Sequence, residues 1–309
     1  MAAATILRLD EAVDLGHAWL QSLADERGIR ILFLKGPALH RHGLRAPRTS
    51  SDVDVLVEPA RFADFCADVL AAGCTERDAI LISELTTLHS RTFVRDGWPC
   101  DIDVHSFYPG FLADPAVAFG ALWRRRVAME FAHRACTVPD RVSGVLVLAL
   151  HSLRGASIQE RHGDELQQLV AIELTDQERS DVAALALATG SAATLETVLP
   201  RLGIEVAAPA GEESSDELRR WRERVAAGSH GAYFWISAFL TAPPAQRPRI
   251  ALRALWPTRR DLLIARPDTV DSLSGRTRAR LARMGRGIRW LPRALRAFGP
   301  AARAPRERA

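Results

Sequence analysis

The succession of apolar runs and polar segments predicts a short buried strand at residues 31–34. The run Ile-Leu-Phe-Leu stops at Lys35-Gly36, as expected where a strand ends and a turn begins. Pro37 comes next, and its fixed φ suits the first turn of a helix. The segment that follows, as far as Ser51, is polar and rich in arginine. We interpret it as a loop, or as a short helix followed by a loop.

Residues 53–57 form a second apolar run, and two carboxylates lie at its start. Asp52 and Asp54 are two residues apart, so on a strand both side chains point to the same face of the sheet. With a rise of about 3.3 Å per residue, their Cα atoms would lie about 7 Å apart. This spacing suits two carboxylates that share a site with Mg²⁺, because the ions of paired-metal enzymes lie about 3.5–4 Å apart.

A further acidic strand is predicted at residues 98–105. Polar and apolar residues alternate there, so that Asp101, Asp103 and His105 share one face. Asp96-Gly97 separates this segment from residues 91–95, and this dipeptide is a strong signal for a hairpin turn. We therefore expect a hairpin whose second strand lies in the same sheet as the first pair of carboxylates.

Helical patterns dominate the rest of the chain. A helix at residues 9–27 with an apolar stripe ends at Gly28. For residues 127–138 the pattern fits a strand pair or an irregular passage. Residues 200–215 are rich in Pro, Gly and acidic side chains, which is typical of a linker or long loop. The other predicted helices are at residues 61–72, 112–126, 142–153, 164–173, 176–188, 192–199, 216–227, 233–240, 248–255 and 274–298.

This order of elements predicts an α+β fold, with a small mixed β-sheet core and helices, followed by an all-helical C-terminal domain. A chain of 309 residues is long enough for two domains. We place the boundary near Pro139. This gives a catalytic domain at residues 1–139, a helical domain at 140–298 that would form the other wall of the cleft, and a disordered basic tail at 299–309.

Composition is that of a soluble globular protein, with 48% hydrophobic and 25% charged residues. The net charge of +4 is compatible with phosphate-bearing substrates. Lys35 is the only lysine in a chain whose other fixed positive charges are all arginine, which favours a role for a compact ammonium beside Gly36 over retention by chance. No Cys/His cluster has zinc spacing, and no Ser-His-Asp order stands out.

The cysteines predict free, mostly buried thiols in a reducing compartment, because none of them forms a Cys-x-x-Cys pair. The N-terminus lacks a signal-peptide pattern, and no apolar stretch approaches the ~20 residues needed to span a membrane. The expected location is the cytoplasm. The four cysteines are Cys66, Cys74, Cys100 and Cys136.

The order of these motifs resembles the nucleotidyltransferase superfamily of the DNA polymerase β type. More narrowly, Leu-Lys-Gly-x-Ala-Leu, Ser-Asp-Val-Asp-Val-Leu-Val and Ile-Asp-Val-His resemble a bacterial group usually called uncharacterised nucleotidyltransferase family proteins. Two positions depart from the pattern. Ser106 replaces a Trp, and Gly36-Pro37 replaces Gly-Gly or Gly-Ser, which removes one backbone amide that would touch phosphate. The resemblance covers the N-terminal half and extends weakly to Leu255-Trp256-Pro257 and the basic helix after it.

The resemblance implies a nucleotidyltransferase that moves a nucleoside monophosphate from a nucleoside triphosphate, such as ATP, to an unidentified hydroxyl-bearing small molecule or protein. Asp52, Asp54 and Asp103 would be the catalytic residues and would bind Mg²⁺ or Mn²⁺. Asp103 would also draw the proton from the attacking hydroxyl. The residues expected to bind the nucleotide are Lys35, Gly36, Arg48 and Ser51.

Several neighbours of these residues have open roles. Asp101 is either a metal contact or the solvent-side neighbour of Asp103. His105 is either a ligand, proton relay or substrate contact, or a hydrogen-bond partner that supports Asp103. Ser50 fits a cap of the turn before the acidic strand. His151, in an apolar helix, is interpreted as a core or cleft histidine with satisfied hydrogen bonds.

Two other functions stay open beside the enzyme. One is a catalytically degenerate relative that binds a nucleotide or a partner without turnover. The other is a protein that binds or modifies nucleic acid such as tRNA through the arginine-rich last helix, which could also bind an anionic membrane surface. Against this, we favour an ordinary solvated helix docked through an apolar stripe. The arginines are Arg276, Arg278, Arg280, Arg283, Arg286, Arg289, Arg293 and Arg296, and the stripe is Leu281, Met284, Ile288, Leu291 and Leu295.

Overall fold

The computed structural model describes residues 7–86, 89–155, 159–228 and 231–298. Internal contacts divide the chain into two units. The first comprises the described residues up to Arg77 together with His89–Leu218, and the second comprises those of Asp78–Leu88 and those from Arg219 onward. The last strand of the described chain ends at Pro139, where the sequence predicted the domain boundary. The boundary itself stays a prediction. The predicted tail, 299–309, lies outside the described residues.

Five strands of the first unit form one mixed sheet: β1 (Ile31–Phe33), β2 (Asp52–Val57), β3 (Thr75–Glu76), β4 (Ser90–Val94) and β5 (Asp101–His105). Their order across the sheet is β1-β2-β5-β4-β3. β2 runs parallel to β5, and the other neighbouring strands are antiparallel. The predicted hairpin is therefore confirmed, and its second strand lies beside the strand that carries Asp52 and Asp54.

A second, two-stranded sheet settles the undecided passage at residues 127–138. It consists of β6 (Arg126–Phe131) and β7 (Arg134–Pro139), paired as an antiparallel hairpin. Ala132 and His133 form the turn, and both have positive φ. The passage is thus a strand pair.

Helices account for most of the remaining described residues, and the predicted α+β class is confirmed. They are α1 (Leu9–Arg27), α2 (Pro37–Arg41), α3 (Phe62–Ala71), α4 (Leu81–Thr86), α5 (Pro115–Arg124), α6 (Arg141–Gly155), α7 (Glu160–Val170), α8 (Asp176–Thr189), α9 (Ala210–Glu213), α10 (Asp216–Ala227), α11 (Gly231–Thr241), α12 (Arg247–Leu255), α13 (Arg259–Ala265) and α14 (Leu273–Ala297). No helix in these parts of the chain is long and apolar enough to cross a membrane.

One predicted helix is wrong. Residues 192–199 form a series of turns, which leads into a short 3₁₀ helix at Pro200–Leu202. The side chain of Thr194 donates to the carbonyl of Gly110 at 2.8 Å, and its Oγ1 also lies 3.1 Å from the carbonyl of Ser191. Hydroxyl groups that bond nearby backbone in this way compete with helical hydrogen bonds. Residues 200–215, predicted as a linker, contain this 3₁₀ helix and α9.

The main core of the first unit lies on one face of the sheet, where α1 and α3 pack. The alternating valines of β2, with Ile102 and Val104 of β5, are fully buried against these helices. Because side chains of a strand alternate between faces, the acidic residues at the positions between them lie on the opposite face. The four cysteines are free and buried, as predicted.

The apolar stripe of α14 is not the side by which this helix docks, contrary to the sequence prediction. Leu281, Ile288 and Leu295 are each more than half exposed. The buried positions are Ala294 and Ala297, on another side of the helix. The periodicity of the sequence identified the apolar stripe, but it could not show whether the rest of the protein covers that stripe.

Gly190 ends α8 in a left-handed conformation, with φ 66° and ψ 31°. A Cβ at this position would lie 2.5 Å from the backbone nitrogen of Ala113. The surrounding backbone cannot withdraw easily, because the amides of Leu112 and Ala113 donate to the carbonyls of Gly190 and Thr189. This close approach therefore requires glycine.

We expect Gly190→Ala to destabilise the protein by more than the ~1–2 kcal/mol of left-handed strain alone. Gly28 offers a matched control, because it ends α1 with φ 61° and ψ 34° and has nothing within 4 Å of an added Cβ. Urea unfolding of both variants measures the difference. Equal losses in free energy of unfolding would contradict the close approach at Gly190.

Candidate active site

Two neighbouring strands bring the predicted acidic residues to one face of the sheet. In the parallel pairing of β2 with β5, Asp52 lies opposite Asp101 and Asp54 lies opposite Asp103. His105 follows two residues after Asp103 and therefore shares its face. The two strands therefore place Asp52, Asp54 and Asp103 on one face of the sheet, whereas the close group of possible metal ligands consists of Asp54, Asp103 and His105 and does not include Asp52.

Asp54 is the centre of the hydrogen-bond network, and its side chain is 2% exposed. Its Oδ1 accepts from the Lys35 ammonium at 2.6 Å and lies 3.0 Å from Nε2 of His105. Burial alone would raise the pKa of Asp54, but the Lys35 charge and the His105 hydrogen bond outweigh it and hold the pKa well below its ordinary value. Asp54 is therefore firmly ionised.

Asp52 and Asp103 are held differently. Asp103 accepts from the Thr92 hydroxyl at 2.6 Å, and Asp52 accepts from the Ser50 hydroxyl at 3.1 Å. Burial raises the pKa of both carboxyl groups, and the negative charge of Asp54 raises it further. Both therefore hold a proton more readily than an ordinary aspartate does.

The donor set fits a divalent cation. One ligand atom each of Asp54, Asp103 and His105 lies within 4.8 Å of the others. Carboxylate oxygens suit Mg²⁺ and Mn²⁺, whereas an imidazole nitrogen suits transition metals better. The repulsion that raises two of the carboxyl pKa values is the kind of electrostatic cost that a bound cation would remove.

The accessory residues take positions that the sequence left open. Asp101 forms an exposed ion pair with Arg77, and it is not part of the close group formed by Asp54, Asp103 and His105. His105 is buried, and its Nε2 lies 3.0 Å from Oδ1 of Asp54, so its hydrogen-bond partner is Asp54 and not Asp103, which was one of the alternatives that the sequence left open. The reason is cross-strand geometry, which places His105 diagonally next to Asp54 on the neighbouring strand.

Gly36 follows β1 at the edge of this site. Its φ of 68° and ψ of −138° are accessible to glycine but not to ordinary residues. Pro37 is the first residue of the short helix α2, as predicted. The carbonyl of Gly36 accepts from Nη2 of the buried Arg45 at 2.6 Å. Ser51 is exposed, and its carbonyl accepts from the amide of Asp101.

A buried ion cluster lies beside Gly36 and connects it to α7. Nη1 of Arg48 lies 2.6 Å from Oε1 of Glu165, and Nη1 of Arg45 lies 3.7 Å from the same oxygen. Sequence reasoning missed Glu165 and Arg45. A signal was present, because Glu165 occupies the stripe of α7 that is buried with Leu166 and Leu169.

His151 of α6 is the other residue whose role was misjudged. Neither of its ring nitrogens has a hydrogen-bond partner within the described ranges, so it is not a satisfied histidine. Burial, together with the positive charges of Lys35 and Arg154, lowers the pKa of His151 to about 2. A neutral imidazole can donate one hydrogen bond and accept another. His151 therefore offers both to a ligand.

His151, His162 and Glu165 also bring one ligand atom each to within 4.8 Å. Their surroundings are positively charged, however, because Arg45 and Arg48 pair with Glu165. This second cluster suits an anionic or hydrogen-bonding group better than a second cation.

Comparisons with known proteins place part of the chain in a described family. The model of a family described as uncharacterised nucleotidyltransferase matches residues 18–206. Among solved structures, the chain is similar to an antigenic nucleotidyltransferase-like protein from Paracoccidioides brasiliensis, with 10% identity and a TM-score of 0.38. That likeness covers 62% of this chain and 93% of the other. No curated protein matches the chain significantly.

Proposed function

The chain belongs to this family of uncharacterised nucleotidyltransferases, and from that premise we propose that it transfers a nucleoside monophosphate from a nucleoside triphosphate to a hydroxyl group of a small molecule or protein. The observation that carries the proposal is the pairing of β2 with β5. It sets Asp52, Asp54 and Asp103 on one face, beside the glycine turn that follows β1. Nucleotidyl transfer needs this combination, because catalysis consists largely of positioning groups and neutralising charge.

Asp52, Asp54 and Asp103 would hold a divalent cation, Mg²⁺ or Mn²⁺. When bound, such an ion neutralises the charge that develops on the phosphate oxygens. Lys35 and His105 orient the carboxylate of Asp54 through hydrogen bonds to its Oδ1. Asp103, whose pKa is raised mainly by burial, is a better proton acceptor than Asp54, whose pKa is lowered, and would take the proton of the attacking hydroxyl.

The proposed nucleotide-binding residues are Lys35, Gly36, Arg48 and Ser51. Lys35 and Arg48 already pair with Asp54 and Glu165. Each still has other N–H donors, since an ammonium has three and a guanidinium five. We add His151, whose free ring nitrogens lie in the same positively charged region of the first unit.

One observation favours a second candidate function, a nucleotide-binding protein without turnover. The Lys35 ammonium lies 2.6 Å from the carboxylate that would bind metal, and it already neutralises that carboxylate. The proline after Gly36 also removes an amide from the phosphate-binding turn. In this case nucleotide binding would persist without metal and without release of pyrophosphate.

Calorimetric titration with each nucleoside triphosphate, with and without Mg²⁺, tests the proposal. We expect wild type to bind one or more nucleotides in a Mg²⁺-dependent manner. The double variant Asp52→Asn/Asp103→Asn should lose this dependence. It leaves the Lys35–Asp54–His105 network intact, because these two carboxylates bond only hydroxyl groups within the described chain.

Asp101→Asn is the matched control, since Asp101 lies on the same face but pairs with Arg77. It should bind nucleotide as wild type does. Folded wild-type protein that binds no nucleoside triphosphate would overturn the proposal. Binding that ignores Mg²⁺, with no release of pyrophosphate, would support the second candidate instead.

A further inference from the structure

The positive charge of this protein is concentrated near the end of the described chain. Residues 247–298 contain 14 arginines and three acidic residues, a net charge of +11, compared with +4 for the whole chain. The helix α14 alone has eight arginines and no acidic residue. Charge asymmetry of this size indicates an anionic binding partner.

The same helix exposes an apolar stripe. At 100° per residue the stripe covers an arc of about 80° on the helix surface. The exposed stripe adds Leu273 to the stripe defined from the sequence and leaves out Met284, which is half-buried. Its members are Leu273, Leu281, Ile288, Leu291 and Leu295, with exposed fractions of 79%, 57%, 67%, 41% and 53%. Residues 299–309, which follow the helix in the sequence, have no large apolar side chain that could cover it. An exposed aliphatic surface of this length on one helix indicates a binding site for a protein or a membrane.

The other side of α14 is the one attached to the second unit. Arg280 donates to the carbonyl of Pro257 at 3.2 Å, and Arg283 donates to the carbonyl of Ala254. The guanidinium groups of these two arginines also lie over the rings of Trp256 and Trp235. These arginines therefore serve docking, and the stripe faces outward beside them.

Three other arginines follow the free edge of the stripe. Arg278, Arg289 and Arg296 lie within a further arc of about 20°, which begins about 60° beyond the edge of the apolar one. All three are exposed, and none has an ion pair within the described ranges. The outer face of α14 thus presents a row of aliphatic side chains beside a row of uncompensated positive charges.

The stripe continues into an apolar groove of the second unit. Ile288 and Leu291 line this groove, together with Leu255, Trp235 and Leu81. The groove has a volume of about 480 Å³. The apolar surface is therefore wider than one helix.

We propose that the outer face of α14 binds the surface of an anionic lipid bilayer. The helix would lie in the plane of the interface, with its stripe among the acyl chains and Arg278, Arg289 and Arg296 against acidic headgroups. This combination of aliphatic and cationic faces is what interfacial helices use. The phosphates of a nucleic acid would complement the charge of the arginines, but they would leave the apolar stripe exposed to water. A second copy of α14 would oppose eight arginines to eight arginines.

Co-sedimentation with lipid vesicles tests the proposal on the full chain. Wild type should sediment with phosphatidylglycerol/phosphatidylcholine vesicles at low salt, bind them at least tenfold more tightly than pure phosphatidylcholine vesicles, and lose affinity as salt rises. The triple variant Arg278→Gln/Arg289→Gln/Arg296→Gln and the double variant Ile288→Ser/Leu295→Ser should each lose at least tenfold in affinity. Their thermal unfolding should match wild type, because all five positions are exposed.

The matched charge control is Arg124→Gln/Arg126→Gln/Arg201→Gln, which removes three exposed arginines of the first unit. It should bind vesicles as wild type does. If this control and the α14 charge variant lose vesicle affinity equally, binding depends only on the net charge of the protein, and the proposal is overturned. Absence of binding to anionic vesicles would also overturn it. A dimer that Ile288→Ser/Leu295→Ser converts to monomers would assign the stripe to a second copy and would also overturn it.

Discussion

Asp52→Asn is expected to lower nucleotidyl transfer by at least about 10²-fold while leaving the thermal unfolding midpoint unchanged or higher. Electrostatic stabilisation by a metal ion contributes several kcal/mol to such reactions, and each 1.36 kcal/mol corresponds to tenfold in rate. Stability should not fall, because burial and the charge of Asp54 both raise the pKa of Asp52 and so disfavour its ionised form in the folded protein. A residue retained for structure alone would show the reverse, with stability lost and activity kept.

Release of pyrophosphate from a nucleoside triphosphate measures this prediction without knowledge of the acceptor, because water can serve as a slow acceptor. Asp101→Asn is the control, since it removes an equal charge from the same face of the sheet. It should retain activity close to that of wild type. If Asp52→Asn and Asp101→Asn lower activity equally, the loss comes from removing a negative charge anywhere on this face, and the assignment of Asp52 as a metal ligand is wrong.

The acidic face could be predicted from the sequence because its determinants are local. Alternation of polar and apolar residues identified which side chains of each strand share a face, and the Asp96-Gly97 turn fixed the hairpin. Which strand lies beside which is a matter of tertiary structure. The sequence placed the two acidic strands in one sheet, but it did not specify that β2 and β5 are parallel neighbours. This register decides that His105 bonds Asp54.

The buried ion cluster shows where such reasoning stops. Glu165 lies on α7, more than 100 residues after Arg45 and Arg48 in the sequence. No local pattern joins residues so distant, and their contact follows from the packing of α2, which Arg45 and Arg48 follow in the chain, and of α7 against α6. The same holds for the exposed stripe of α14, because periodicity identifies the apolar face of a helix but not whether another surface packs against that face.

Lys35→Met is expected to lower the free energy of unfolding by about 3–5 kcal/mol, the usual cost of removing one partner of a buried ion pair. The Lys35 and Asp54 side chains are 14% and 2% exposed, so water cannot readily replace the ammonium. The control is Arg30→Met, which breaks the exposed pair with Glu58 and should cost at most about 1 kcal/mol. Urea unfolding without divalent ions measures both.

The double variant Lys35→Met/Asp54→Asn should recover part of this loss, because it removes the carboxylate that Lys35→Met leaves without its cation. If it is no more stable than Lys35→Met, the cost arises from lost packing of the lysine side chain rather than from charge. The comparison therefore isolates the electrostatic part of the Lys35–Asp54 interaction.

Divalent ions connect this stability measurement to function. In wild type the ammonium already neutralises Asp54, whereas in Lys35→Met a bound cation would be the main remaining source of positive charge at that carboxylate. Since a ligand stabilises the folded state by RT ln(1 + [L]/Kd), Mg²⁺ or Mn²⁺ should raise the stability of Lys35→Met more than that of wild type. The ion should raise the stability of Lys35→Met/Asp54→Asn least of the three proteins. Equal effects on all three proteins would mean that the ion binds elsewhere, and Asp54 would then be a counter-ion of Lys35 alone.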